Sequence, residues 1–175
     1  SLPEEVKAKI EREAKLKSKG RLIFKLNSLI DPEMIDTLYE ASHAGVQIDI
    51  IARGICCLVP QVPGMSENIR VRSIVGRFLE HSRLYYFGNG GKPECYFGSA
   101  DLMRRNLDRR VEVLAPTQTS AQAELLRDEI LEPYLSDTAN AWELMPSGEY
   151  KRVSASGKPF AAQQELMQRP FPQAK

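Results

Sequence analysis

His81 and Arg83 carry the clearest chemical potential in this chain. They stand two residues apart at the entry to an apolar run, Leu84-Tyr85-Tyr86-Phe87. Side chains two apart on a strand point to one side, so imidazole and guanidinium would share a face. Imidazole can attack phosphorus or move a proton near neutral pH. Guanidinium can clamp phosphate oxygens through two parallel N–H bonds. The turn Gly98-Ser99-Ala100-Asp101 follows the partner run Glu94-Cys95-Tyr96-Phe97, so Ser99 and neighbouring backbone N–H groups could complete an anion nest. A single histidine on a strand is ordinarily structural. Here the surrounding stretch argues for more. Residues 66–110 hold eight arginines and one lysine against five acids, whereas the whole chain carries a formal net charge of only +1. That local excess is the signature of an anion-handling site or of a charged surface.

The elements that must position these residues can be read in order. Residues 4–18 form a mostly charged helix with Val6 and Ile10 as a narrow apolar stripe, and Gly20 ends it. Leu22 to Leu26 is a strand. Asp31 is a natural N-cap with Pro32 at the first helical position, and the helix runs to Ala44 before Gly45. Val46 to Ala52 is a second strand. Strand, helix, strand is a βαβ unit, which favours parallel pairing. Polar residues at the carboxyl ends of such strands gather in the ligand crevice, and here those are Asn27, Ser28 and Arg53.

Residues 54–67 are a long loop, and Ile69 to Arg72 alternates as a half-buried strand. With Ile69 and Val71 facing a core, Arg70 and Arg72 share the opposite face, toward an anion or solvent. Ile74 to Glu80 reads as a short helix or turn. The two aromatic runs around Asn89-Gly90-Gly91 read as a β-hairpin. Residues 110–114 form a further strand and 119–135 a long helix capped by Thr119 or Ser120. Trp142 to Met145 and Tyr150 to Val153 form a terminal hairpin, with a short helical pattern from Phe160 to Met167. The expected organisation is an N-terminal helix over 1–20, a main domain over 21–137, and a hairpin and tail over 138–175 that packs on its own domain or on a neighbour.

Composition narrows the function classes. The chain has 175 residues, 42% of them hydrophobic and 27% charged, which suits one soluble domain with an appendage. The near balance of charge gives no case for nucleic acid. No apolar stretch is long enough to cross a bilayer, and Ser1-Leu2-Pro3-Glu4-Glu5 lacks the regions of a signal peptide. A start at Ser rather than Met reads as a processed chain or as part of a longer one. The three cysteines, Cys56, Cys57 and Cys95, are odd in number and read as free thiols of a reducing compartment rather than as zinc ligands with His81. His43, in the first long helix, reads as a surface or packing residue.

The segment Ala52-Arg53-Gly54-Ile55-Cys56-Cys57-Leu58, the block SENIRVRSIVGRFLEHSRLYYF, the NGG turn and the run GSADLMRRNLDRRVEVLAP resemble the carboxy-terminal region of the polyphosphate kinase 1 family. The resemblance extends from Leu22 to about Asp137. It implies an α/β fold: one complete phospholipase-D-like domain, a mixed sheet flanked by helices, with a short C-terminal appendage. That family has two such domains in tandem, and this chain resembles the second. His81-Ser82-Arg83 with Gly98-Ser99-Ala100-Asp101 matches the second half of the superfamily's paired His-x-Lys/Arg motif, with Arg in place of Lys.

The resemblance also implies an activity: reversible transfer of the terminal phosphate of ATP to polyphosphate, with Mg2+. The phosphorylated histidine belongs to the preceding domain of the family, so this chain would hold half an active site and be inactive alone. His81 takes the proton-transfer or supporting role. Arg53 falls on an arginine expected to bind nucleotide phosphates. Arg83 joins it as a phosphate ligand, with Arg70, Arg72, Ser99 and Asn106 as further nucleotide or polyphosphate contacts. Magnesium ligands are expected mainly outside this chain. Expected partners are ATP or ADP, inorganic polyphosphate, upstream domains of the same protein and a second copy of the intact chain. The expected location is the cytoplasm, with peripheral attachment to a membrane left open. Two alternatives stay open: a phospholipase-D-like phosphodiesterase or nuclease built as a dimer, and a polyanion-binding module without chemistry.

Overall fold

The structure, a computed structural model, describes residues 4–76, 83–98 and 114–169. His81, Ser99 and Asn106 lie outside these residues, as do Arg77, the arginines of 104–110 and the centre of the strand expected over 110–114.

The chain opens with helix α1 (Glu4–Leu16), followed by a single 3-10 turn at Lys17–Lys19. Val6 and Ile10 face the core, as their spacing requires. The charged remainder of the helix holds an exception. Glu13 is fully buried, and its carboxylate accepts the backbone N–H of Arg21 at 3.2 Å and of Asn89 at 2.7 Å. One side chain of the helix thus satisfies a strand start and a hairpin turn. A buried carboxylate is tolerated only with such donors.

Strands β1 (Arg21–Leu26) and β2 (Gln47–Ala52) pair in parallel around helix α2 (Pro32–Ala44). Asp31 caps α2, accepting the Met34 N–H at 3.0 Å, and Gly45 closes it at φ 111°, a conformation that favours glycine. Strand β3 (Ile69–Ile74) pairs in parallel with β2 on its far side. Ile74 therefore ends a strand rather than opening a helix. Strands β4 (Arg83–Phe87) and β5 (Glu94–Gly98) form the expected hairpin, with Asn89–Gly91 as its turn. Past the undescribed residues 99–113, a short strand β6 (Ala115–Pro116) pairs with Phe97 and Tyr96 of β5.

The long helical segment has three parts. Helix α3 (Ser120–Leu126) is capped by Thr119. A π-helical turn (Arg127–Leu131) carries the chain into α4 (Glu132–Ser136), with the Glu132 N–H bonded back to Arg127. The cause is Pro133, which has no N–H to give and cannot sit inside a regular α-helix without disturbing it. Strands β7 (Ala141–Leu144) and β8 (Tyr150–Arg152) follow, then helix α5 (Ala162–Gln168).

All eight strands belong to one mixed sheet in the order β6-β5-β4-β1-β2-β3-β7-β8. The terminal hairpin is part of it, because β7 pairs antiparallel with β3. Two apolar layers cover the faces. Phe24, Ile50, Val71 and Tyr85 pack beneath α1 and α2. Ile23, Ile51, Leu84 and Tyr86 pack against Ala123, Leu131, Tyr134 and Ala162 of the later helices. Edge-to-face contacts of Phe24 with Tyr85 and Phe87, at 5.2 and 5.6 Å between ring centres, bind β1 to β4.

Candidate functional site

The sheet register decides which polar residues can meet. Strands β1, β2 and β3 run in parallel, so their carboxyl ends share one edge. β4 runs against β1 with Lys25 opposite Leu84, which brings Arg83, at the start of β4, to that same edge. Arg53 leaves β2 there, directly after Ala52. Gly98 lies opposite Arg83 and ends β5 at this edge. One strand, β1, separates Arg83 from Arg53, a spacing of about 10 Å across the sheet. The edge therefore gathers two cationic residues from sequence positions 30 apart.

Local structure fixes the backbone around Arg53. Its N–H donates to the Leu26 carbonyl at 3.3 Å, and the Gly54 N–H donates to that of Asn27 at 2.5 Å. A Cβ on Gly54 would come within 2.6 Å of the Ser28 hydroxyl, so close approach requires glycine at that position. Arg53 is exposed. Arg83 is 8% exposed, buried at the strand entrance.

The other predicted arginines are placed differently. Arg72 is partly buried, and one guanidinium nitrogen, Nη1, donates to the carbonyls of Tyr134 and Asp137, both at 3.1 Å. Burial pulls its pKa below the ordinary arginine value, against the pull of Asp49, Glu143 and Asp137. Arg72 thus holds the end of α4 to β3. Arg70 is exposed beside Asp49 in the register, four residues before the edge and about 13 Å along the strand. Arg53 and Arg83 thus lie at one end of the sheet, about 10 Å apart, and Arg70 lies away from that end.

A cleft of about 240 Å³ opens beside Arg53, lined by Arg53, Gly54, Ser73, Val75, Trp142 and Tyr150. A larger cavity of about 450 Å³ shares Gly54 and Tyr150 with it and is lined also by Cys56, Leu58 and Met145. Reading the sequence alone missed Ser73, Trp142 and Tyr150 as cleft residues. They arrive because β7 pairs with β3 and places Trp142 directly opposite Ser73, a long-range pairing with no local signal. Lys25 was missed too. It is buried, with its ammonium 5.3 Å from the centre of the Tyr134 ring.

The thiols are free, and burial raises Cys56 to about 11 and Cys95 to about 12, which keeps both protonated near neutral pH. His43 is exposed with its Nδ1 2.9 Å from the Gly64 carbonyl, away from the edge. Among the described residues no three His, Cys, Asp or Glu side chains cluster in a way that would hold a metal ion. No helix among them is long and apolar enough to cross a membrane.

Comparison with known proteins places this arrangement. Residues 1–164 match the family model described as polyphosphate kinase C-terminal domain 2. The chain is 54% identical over 163 residues to polyphosphate kinase 1 of Chlorobaculum tepidum, which covers 91% of this chain and 23% of that protein. It is 46% identical over 172 residues to a polyphosphate kinase of Streptomyces coelicolor, covering 95% of this chain and 23% of that protein. The crystal structure of polyphosphate kinase from Porphyromonas gingivalis superposes with a TM-score of 0.87 at 41% identity, over 94% of this chain and 26% of that one. The chain thus spans about a quarter of the length of these relatives, and the mixed phospholipase-D-like sheet is theirs as well.

Proposed function

Because the chain belongs to the polyphosphate kinase 1 family, as its C-terminal domain, we propose that it supplies half of the active site of an ATP:polyphosphate phosphotransferase. The observation that supports this reading is that Arg53 and Arg83 lie at the same end of the sheet, with β1 between their strands. ATP and polyphosphate bring several negative charges to one place, and phosphoryl transfer rests on positioning and on cations aimed at the transferred group. Arg53, exposed and on a fixed backbone, clamps nonbridging oxygens of the nucleotide. Arg83 faces the transferred phosphate from β4. His81 gives and takes the proton. The phosphorylated histidine is supplied by another domain of the full-length enzyme. It divides the transfer into two displacements, each with a phosphate oxygen or imidazole nitrogen as nucleophile, so the reaction runs in both directions. Bound magnesium would add neutralisation of phosphate charge.

The test is made in the full-length protein. Arg53→Ala and His81→Ala should each reduce ATP-dependent polyphosphate synthesis at least a hundredfold, measured with radiolabelled ATP, while thermal midpoints stay within a few degrees of wild type. Activity lost only in proportion to unfolded protein would remove both residues from the site.

A further inference from the structure

We propose that Gln163, in the C-terminal helix α5, is a positioning residue for the phosphoryl-transfer site, because it pins Gly76, the residue at which the chain leaves β3 five positions before His81. The inference rests on the reading of His81 as the proton carrier and extends that site to a helix near the end of the chain.

The carboxyl end of β3 outruns the central sheet. β2 pairs with β3 as far as Arg72, opposite Ile51. Ser73 and Ile74 continue against β7, opposite Trp142 and Ala141. The Val75 N–H then donates to the Asn140 carbonyl at 3.1 Å. Gly76 meets α5, where a Cβ would overlap the carboxamide of Gln163. Residues 73–76 therefore take their place from the C-terminal part of the chain rather than from the parallel strands.

Gln163 is not free to swing aside. It is 8% exposed, and burying a carboxamide costs free energy that its contacts must offset. The backbone on either side is tied down. The Ala162 N–H donates to the Asp137 carboxylate at 2.8 Å. The Phe160 N–H donates to the Thr138 hydroxyl at 2.9 Å, and the Phe160 carbonyl accepts the Thr138 N–H at 2.9 Å. Asp137 also accepts the N–H of Asn140, the residue whose carbonyl holds Val75. One connected set of bonds thus runs from α5 to the exit of β3. Glycine at 76 is what lets the Gln163 side chain lie against the backbone there.

The placement matters for function because Val75 lines the same cleft as Arg53. The pinned strand end is one wall of the opening on which that cation stands. Displacing a wall or an anchor by about 1 Å, away from the reacting atoms, can slow an enzyme as much as ~100-fold.

The experiment uses the full-length enzyme, radiolabelled ATP and thermal unfolding. Gln163→Ala should lower kcat about tenfold while KM for ATP and the thermal midpoint stay close to wild type. Gly76→Ala should lower kcat further, because its Cβ pushes on the carboxamide. The double variant Gly76→Ala/Gln163→Ala removes that overlap and should return to the level of Gln163→Ala. That rescue is specific to the contact, since general loosening of α5 would make the double variant worse than either single one. An unchanged kcat in Gln163→Ala, a loss that only tracks the unfolded fraction, or a double variant no better than Gly76→Ala would make Gln163 a packing residue and leave the roles of His81 and Arg53 untouched. If His81→Ala, assayed beside them, keeps full synthesis, the functional reading fails and the positioning role goes with it.

Discussion

Arg53 and Arg72 look alike in sequence, each an arginine beside a strand, yet burial and partners give them opposite uses. Arg72 spends its guanidinium on the carbonyls that close α4, whereas Arg53 is exposed at the sheet edge. Arg72→Ala should therefore cost roughly 2–3 kcal/mol of stability, because two buried carbonyls lose a charged donor. Arg53→Ala should change stability by less than about 0.5 kcal/mol. Urea denaturation of the two variants separates the roles, and a larger loss for Arg53→Ala would reverse the assignment. Glu13 makes the same point within one helix. Its carboxylate serves two backbone N–H groups from a fully buried position, so Glu13→Ala should cost about 3 kcal/mol and Glu13→Gln less, since the amide keeps an acceptor oxygen. The sequence offers Glu13 only as one charge among many in a charged helix. What it lacks is any sign that Arg21 and Asn89, far apart in the chain, would both turn a backbone N–H toward it. Arg53 was legible because a βαβ pattern locates the carboxyl end of its second strand without knowledge of any distant partner.

At the scale of elements, local chemistry was readable and long-range pairing was not. Asp31, Pro32 and Gly45 mark the limits of α2 because caps are set by residues adjacent in sequence. The hairpin of β4 and β5 follows from its turn for the same reason. The union of β3 with β7 joins segments nearly seventy residues apart, and nothing in either announces it. Asp137 secures that union. Its carboxylate accepts the Asn140 N–H at 2.7 Å and the Ala162 N–H at 2.8 Å, while its carbonyl takes Arg72. Asp137→Ala should loosen β7 and α5 together, which amide hydrogen exchange would record as faster exchange in 139–144 and 160–168 than in β1 and β2. Uniform acceleration across the sheet would instead mean global unfolding. Glu94 joins the hairpin to α1 through Lys9 at 2.8 Å and Arg12 at 3.2 Å. Partial burial pushes its pKa up, but hydrogen bonds from those two cations outweigh this and hold it below 4.5. Its contribution is thus complete above about pH 4.5 and fades as pH falls through the lower folded value. Glu94→Gln should flatten that part of the stability curve by under about 1 kcal/mol, given the partial exposure of the pair.

For the whole molecule, the arrangement of the sheet explains what such a domain does when it stands alone. The proposed reaction needs a second histidine in line with the transferred phosphorus. The chain contains two histidines in all. One is His81, and the other, His43, is an exposed residue of α2 whose Nδ1 lies 2.9 Å from the Gly64 carbonyl. On the proposed function, a stand-alone domain of this kind would hold phosphate groups without passing them on. The purified 175-residue chain should therefore form no polyphosphate from ATP under conditions in which the full-length enzyme does. It should still bind polyphosphate weakly, with an affinity that falls steeply as salt rises, since exposed guanidinium groups act across a Debye length of about 8–10 Å. A filter-binding series at rising salt, run beside a radiolabelled synthesis assay, reads both quantities on one preparation. Synthesis by the short chain would show that His81, or a pair of them across two copies, is the nucleophile. Binding indifferent to salt would show that the arginine edge is not where the polyanion sits.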